Sequence, residues 1–119
     1  MKQFTTPEMT AKLVELGYPA PKSAIKAERE GNGYWYNPAY SIGELIEILP
    51  KIIEYEIWFG DEKGQIGVWG LSIDTGGTDY GFDVSYERHN SVSLCREGRS
   101  ELIDALYDMC VFLRDQQNR

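Results

Sequence analysis

Apolar residues recur at helical spacing in two stretches near the start of the chain, and each stretch follows residues that begin helices. The run 6–8, Thr-Pro-Glu, predicts the first start, because threonine caps free amides, proline suits the first turn and a carboxylate favours its positive end. Gly17 supplies a left-handed stop for this helix. Ser41 and Glu44 match the capping box, which predicts a second helix that runs to about Leu49.

The C-terminal stretch has the most regular helical pattern of the chain. Apolar residues at helical spacing form one face and acidic residues the other: Leu102, Ile103, Leu106, Met109, Cys110 and Leu113 against Glu101, Asp104, Asp108 and Asp115. We predict an amphipathic helix that lies across a β-sheet.

Between residues 51 and 95 the apolar period changes to every second residue, which is the period of a half-buried strand. The predicted strands are 51–59, 65–73, 80–87 and a short one from Val92 to Cys95. A change of apolar side near Gly67 or Gly70 indicates a β-bulge. Residues 98–100, Gly-Arg-Ser, are expected to interrupt the regular secondary structure and to cap the last helix.

Together these elements predict an α+β fold with two layers, in a single domain over residues 1–119. An antiparallel meander of three to four strands forms one layer, the C-terminal helix packs across one face, and the two N-terminal helices pack beside it. Residues 1–40 hold the first helix and an aromatic loop, and residues 41–119 form a helix–strands–helix body.

Five aromatic residues are candidate binding residues: Tyr34, Trp35, Tyr36, Tyr40 and Trp58. The first four fall in the stretch 18–40, which is rich in Pro, Gly, Asn and charge and in which residues 25–29 could form a brief helical turn or strand. Two interpretations are open. This loop covers Trp58 on the second face of the sheet, or its rings form an exposed protein-binding surface in which rigid aromatic side chains act as anchors.

Charge limits the classes of partner. The chain has a net charge of -7, and residues 41–119 hold seven Lys/Arg against fifteen Asp/Glu. Such a surface repels phosphate backbones and anionic lipids, so nucleic acid and membranes are not expected as partners. No apolar run reaches the ~20 residues that span a bilayer, and the first residues lack the apolar stretch of a secretion signal, so we expect a cytoplasmic protein.

One short run is similar to a catalytic motif. Residues 71–76, Leu-Ser-Ile-Asp-Thr-Gly, resemble the aspartate motif of retroviral-type aspartic proteases, in which two aspartates of a dimer share a proton. That family has an apolar pair before the glycine that corresponds to Gly98, whereas this chain has Arg96 and Glu97. A β-turn that joins two strands explains the run without further assumption.

The other reactive residues are explained as turn or core, so we expect no catalytic residue, no metal site and no cofactor. Asp74, Asp79 and Asp83 lack the spacing of a calcium-binding loop. His89 is the only histidine, and no third group is apparent that would orient it toward Cys95. Cys95 and Cys110 lack the paired spacing of metal or redox sites and are expected to be buried thiols.

Several short strings resemble small proteins of gut bacteria and their phages whose function is not known. The strings are Thr6-Pro7-Glu8, Leu16-Gly17-Tyr18 with Pro21-Lys22-Ser23, residues 40–46 (Tyr-Ser-Ile-Gly-Glu-Leu-Ile) and residues 101–109 (Glu-Leu-Ile-Asp-Ala-Leu-Tyr-Asp-Met). The resemblance covers under half of the chain and implies a prophage or mobile-element context, with no activity or binding residues to transfer.

The sequence therefore favours a non-enzymatic protein that binds or modulates another protein through its acidic body or its aromatic loop. The sequence does not predict the oligomeric state.

Three alternative functions are open. An acidic inhibitor that mimics nucleic acid needs two rows of carboxylates at phosphate-like spacing. A hydrolase that uses Asp74 needs that carboxylate in a concave pocket, and a small-ligand binder needs a pocket beside Trp35, Trp58 or Trp69.

Overall fold

The computed structural model describes residues 2–28, 33–56, 66–75, 81–88 and 92–117. Within these ranges the elements are α1 Pro7–Glu15, β1 Ser23–Glu28, β2 Tyr34–Ala39, α2 Ile42–Ile48, β3 Ile52–Glu56, β4 Ile66–Asp74, β5 Phe82–Arg88, β6 Val92–Arg99 and α3 Leu102–Gln117. The predicted α+β class, with an antiparallel meander followed by a C-terminal helix that packs on the sheet, is confirmed.

Strands β3 to β6 form one antiparallel sheet whose strand order follows the chain. Paired residues of antiparallel strands share a face of the sheet, so the register shows which residues face the core. Ile53 pairs with Trp69, and Leu71 pairs with Tyr86. Trp69 and Tyr86 are fully buried in the hydrophobic core, and Ile53 and Leu71 are partly buried and pack against it, as the alternating pattern predicted.

Helix α3 closes the core from one face of the sheet and contacts β5, β6, α2 and α1. Most of the apolar stripe that the sequence predicted is buried, namely Ile103, Leu106, Met109, Cys110 and Leu113. Leu102, also predicted, is partly buried, and Ala105 is buried beside the stripe. Burial of a full aliphatic side chain stabilises a fold by about 1.5–3 kcal/mol, so this stripe is the main attachment of α3 to the rest of the domain.

Both N-terminal helices begin at the predicted caps. The Thr6 hydroxyl accepts a hydrogen bond from the Met9 amide, and Ser41 and Glu44 form the reciprocal capping box. The chain before α1 is also tied to the start of α2, because the Thr5 amide donates to the Tyr40 carbonyl at 2.9 Å. These bonds hold the two helices side by side.

The structure corrects three details of the prediction. Residues 23–39, expected to be mostly loop, contain the two-stranded sheet of β1 and β2. The pairing of β4 is regular across Gly67 and Gly70, and the irregularity lies instead between Tyr86 and Glu87. β6 continues through Gly98 to Arg99, because these residues keep pairing with β5. Residues 60–64, which the predicted strands 51–59 and 65–73 leave as the loop between them, lie outside the described residues.

In the described ranges, no helix combines the length and the apolar character that crossing a membrane requires.

Candidate functional site

A mostly apolar groove lies between α1 and the hairpin of β1 and β2, and we call it the hairpin groove. Its volume is about 620 Å³, which exceeds the volumes of the two smaller cavities considered below. The lining residues are Pro7, Thr10, Ala11, Val14, Glu15, Ala20, Pro21, Asn37 and Pro38.

Helix α1 supplies one wall because it has apolar residues on two sides. Leu13 points into the core and is fully buried. Pro7, Ala11 and Val14 are spaced by four and three residues, so they share a second side of the helix and line the groove. Val14 is 46% exposed, which leaves a branched apolar side chain in contact with water.

The segment before β1 and the strand β2 supply the other wall. Ala20 and Pro21 come from the segment, and Asn37 and Pro38 come from β2. Neither β1 nor β2 pairs with a further strand among the described residues. Because an isolated two-stranded hairpin is marginally stable in water, its packing against α1 is needed to hold it in place.

The structure divides the predicted aromatic residues into separate roles. Tyr36 is 65% exposed and lies two positions from Pro38 on the same face of β2. Tyr40, in contrast, is buried, and its hydroxyl donates to the Pro19 carbonyl, so it supports the fold. Tyr34 and Trp35 belong to β2, but their side chains lie outside the described part of the structure, as does Trp58.

One interpretation of the aromatic residues is that their segment covers the second face of the four-stranded sheet, the face away from α3. Ile52 is 64% exposed and Val68 is 55% exposed on that face. The hairpin contacts α1 through β2. In the described part of the sheet these two residues are therefore left open to water.

A small cavity of about 220 Å³ lies where the chain enters β1, and Glu44 forms part of its wall. The Glu44 carboxylate accepts hydrogen bonds from the Lys22 amide at 2.7 Å and from the Ser41 amide at 3.2 Å. Burial raises the pKa of Glu44, but hydrogen bonds from Ser23, Lys22 and Ser41 outweigh burial and hold the pKa below its usual value. Glu44 thus connects α2 to the base of the hairpin.

A third cavity, the acidic groove, lies between β6 and α3 and has a volume of about 330 Å³. Its lining residues are Glu97, Tyr107, Asp108, Val111, Phe112 and Asp115. Arg99 Nη1 donates to Asp108 Oδ2 at 2.7 Å. Burial and the nearby charge of Asp108 raise the pKa of Glu97, and Arg99 offsets part of this effect.

The structure describes two of the residues on which the alternative functions depend, Asp74 for a hydrolase and Trp69 for a small-ligand binder. Asp74, the last residue of β4, is exposed and accepts a long hydrogen bond from Ser72 Oγ at 3.4 Å. Trp69 is fully buried in the core and lines none of the three cavities described above.

The thiol of Cys110 is free and buried, as predicted, and burial raises its pKa to about 12. No group of three or more His, Cys, Asp or Glu residues is arranged to hold a metal ion in the described ranges. Asp79 and His89 lie outside those ranges, and so does the side chain of Cys95.

No protein-family model matches the chain, and no curated protein or solved structure is significantly similar to it.

Proposed function

We propose that this chain is a non-enzymatic protein-binding module that engages a partner protein through the hairpin groove. The main observation in support of this proposal is the apolar lining of the groove, in which the Val14 side chain is 46% exposed. Removing apolar surface from water stabilises an association by about 25 cal/mol per Å² before the costs of binding. A partner that covers the Val14 side of α1 would gain this stabilisation.

Two neighbouring features support the same surface. Tyr36 extends from the face of β2 that also carries Pro38, and exposed tyrosines are enriched among the residues that anchor protein interfaces. The hairpin also depends on few contacts within the chain, so a partner that packs on it would stabilise it further. Both features favour a protein over a small molecule as the occupant.

The biological context that we propose for this binding rests on the sequence resemblance. The strings shared with small proteins of gut bacteria and their phages favour a prophage or mobile-element protein that modulates another protein in the cytoplasm. The acidic surface of residues 41–119 favours a protein partner over nucleic acid.

The test compares two substitutions on different faces of the molecule. Val14→Glu places a charge in the hairpin groove, and the matched control Val68→Glu places the same charge at a similarly exposed position of the sheet. Tagged forms of the native chain and both variants are expressed in the native host, captured, and compared by quantitative mass spectrometry.

We expect the native chain and Val68→Glu to recover the same protein in stoichiometric amount, and Val14→Glu to lose it by about tenfold or more, which corresponds to about 1.4 kcal/mol. Circular dichroism of the purified variants confirms that each remains folded. Equal recovery by both variants, or no stoichiometric partner for the native chain, would contradict the proposal.

A further inference from the structure

The acidic groove combines an apolar floor with a charged rim, on the side of the molecule formed by β6 and α3. One stripe of α3, separate from its buried stripe, lines it at the spacing of a single helical face: Asp108, Val111, Phe112 and Asp115. Glu97 reaches the same groove because it pairs with buried Val84 and therefore lies on the helix-covered face of the sheet. The floor and the rim come from different elements and are held together by the fold.

Within the described ranges, the charges on the rim are only partly neutralised. Asp108 is bonded to Arg99 at 2.7 Å. Glu97 and Asp115 form no salt bridge with any residue in those ranges. Among the described residues, these two carboxylates therefore lie beside an apolar floor without a bonded cation, in a chain whose net charge is already -7.

A cationic side chain with an apolar stem matches this arrangement. Arginine has a planar guanidinium group that bonds carboxylates in two-point geometry and also stacks on aromatic rings. The groove offers carboxylates at Glu97 and Asp115 and rings at Tyr107 and Phe112. The chain uses the same chemistry elsewhere, because the guanidinium of Arg114 lies 4.2 Å from the centre of the Tyr18 ring.

We propose that the acidic groove is a second docking surface, which binds a basic segment of a partner protein through an arginine anchor. A volume of about 330 Å³ is enough for a long side chain. Charge complementarity selects the occupant, since a neutral or acidic segment would leave Glu97 and Asp115 desolvated without compensation. This surface is separate from the hairpin groove, so each proposal can fail without the other.

The test uses a fluorescein-labelled peptide of arginine and leucine as the probe, with fluorescence anisotropy of the purified full chain as the measurement. Glu97→Gln/Asp115→Asn removes both charges from the rim with little change of shape. The matched control, Glu8→Gln/Glu54→Gln, removes the same charge from exposed positions on α1 and β3. A peptide with glutamate in place of arginine tests whether binding depends on positive charge.

We expect the native chain and the control variant to bind the arginine peptide with the same affinity, and the groove variant to bind about tenfold more weakly. The glutamate peptide should not bind. Equal losses in the two variants would show that only the overall negative field attracts the peptide, and would overturn the proposal. Absence of binding to the native chain, or displacement of the peptide by spermine at equal charge concentration, would also overturn it.

Discussion

The hydroxyl of Tyr18 donates a buried hydrogen bond of 2.6 Å to the backbone carbonyl of Cys110. Ninety-two residues separate the two partners, so this bond ties the end of the N-terminal helical segment to the middle of α3. The guanidinium of Arg114 covers the other side of the ring. Because α1 forms one wall of the hairpin groove, the bond also fixes that wall relative to the core.

Removing this hydroxyl should destabilise the domain. We expect Tyr18→Phe to lower the free energy of unfolding by about 1–2 kcal/mol, because a buried polar contact is lost without a replacement from water. The measurement is urea unfolding followed by circular dichroism. Tyr36→Phe is the control, and it should leave the midpoint unchanged because Tyr36 is largely exposed. Equal effects of the two substitutions would contradict this role of Tyr18.

Gly81 should not accept a side chain. Its φ is +94°, and a Cβ atom there would lie 2.8 Å from the Ser100 carbonyl oxygen. We expect Gly81→Ala to destabilise the domain by about 1–3 kcal/mol, the cost typical of a forced left-handed conformation. Gly43→Ala, in α2, meets only the Ser41 hydroxyl at 3.9 Å and should be neutral or stabilise by up to about 1 kcal/mol. Thermal unfolding of both variants checks the contrast.

Glu97 should oppose folding at neutral pH. Its pKa is raised by burial and by Asp108, so the folded state favours the protonated carboxyl. Stability from this group is present below its unfolded pKa and is lost as the pH rises through the folded pKa. We expect Glu97→Gln to raise the melting temperature at pH 7, and the gain to shrink as the pH falls toward 4.

The control for this pH series is Glu54→Gln, which changes an exposed carboxylate on β3. Its effect on the melting temperature should be small at each pH. A gain for Glu97→Gln that stays constant from pH 7 to acid pH would show that the effect does not come from titration of Glu97.

The thiol of Cys110 should be unreactive while the domain is folded. Burial raises its pKa to about 12, and the thiolate is the reactive form. In a Cys95→Ser background, we expect no alkylation by iodoacetamide at pH 8 and complete alkylation in denaturing urea. Mass spectrometry of the intact chain measures both. Rapid labelling under native conditions would show that α3 leaves the core frequently.

Much of the fold was predictable because its signals are local. The threonine and serine caps, the alternating residues of β3 to β5 and the apolar stripe of α3 each depend on a few neighbouring positions, and each lies where the sequence placed it. The hairpin of β1 and β2 was predicted only in part. Residues 25–29 were expected to form a brief helical turn or strand, and β1 agrees with the second of these, but β2 was not predicted because its residues have no alternating apolar pattern. Its pairing is stabilised by contact with α1, which is a tertiary effect that local patterns do not encode.

The candidate surfaces were less predictable for a similar reason. A second apolar stripe on α1, formed by Pro7, Ala11 and Val14, was present in the sequence but adjoined the stronger stripe that includes Leu13. Tyr40 appeared equivalent to Tyr36 in an aromatic cluster, yet the pairing of residues 4 and 41 draws Tyr40 inward. Glu97 fell between the predicted strand 92–95 and the predicted break at 98–100, and only the extension of β6 brings it beside α3.

The most direct measurement of the central claim is site-specific photo-crosslinking in the native host. Val14→p-benzoylphenylalanine places a reactive group in the hairpin groove, and Val68→p-benzoylphenylalanine places it on the open face of the sheet. We predict a light-dependent adduct of one discrete mass from position 14 that is absent or much weaker from position 68. An adduct of equal yield from both positions, or none from position 14, would contradict the assignment of the hairpin groove as the binding surface.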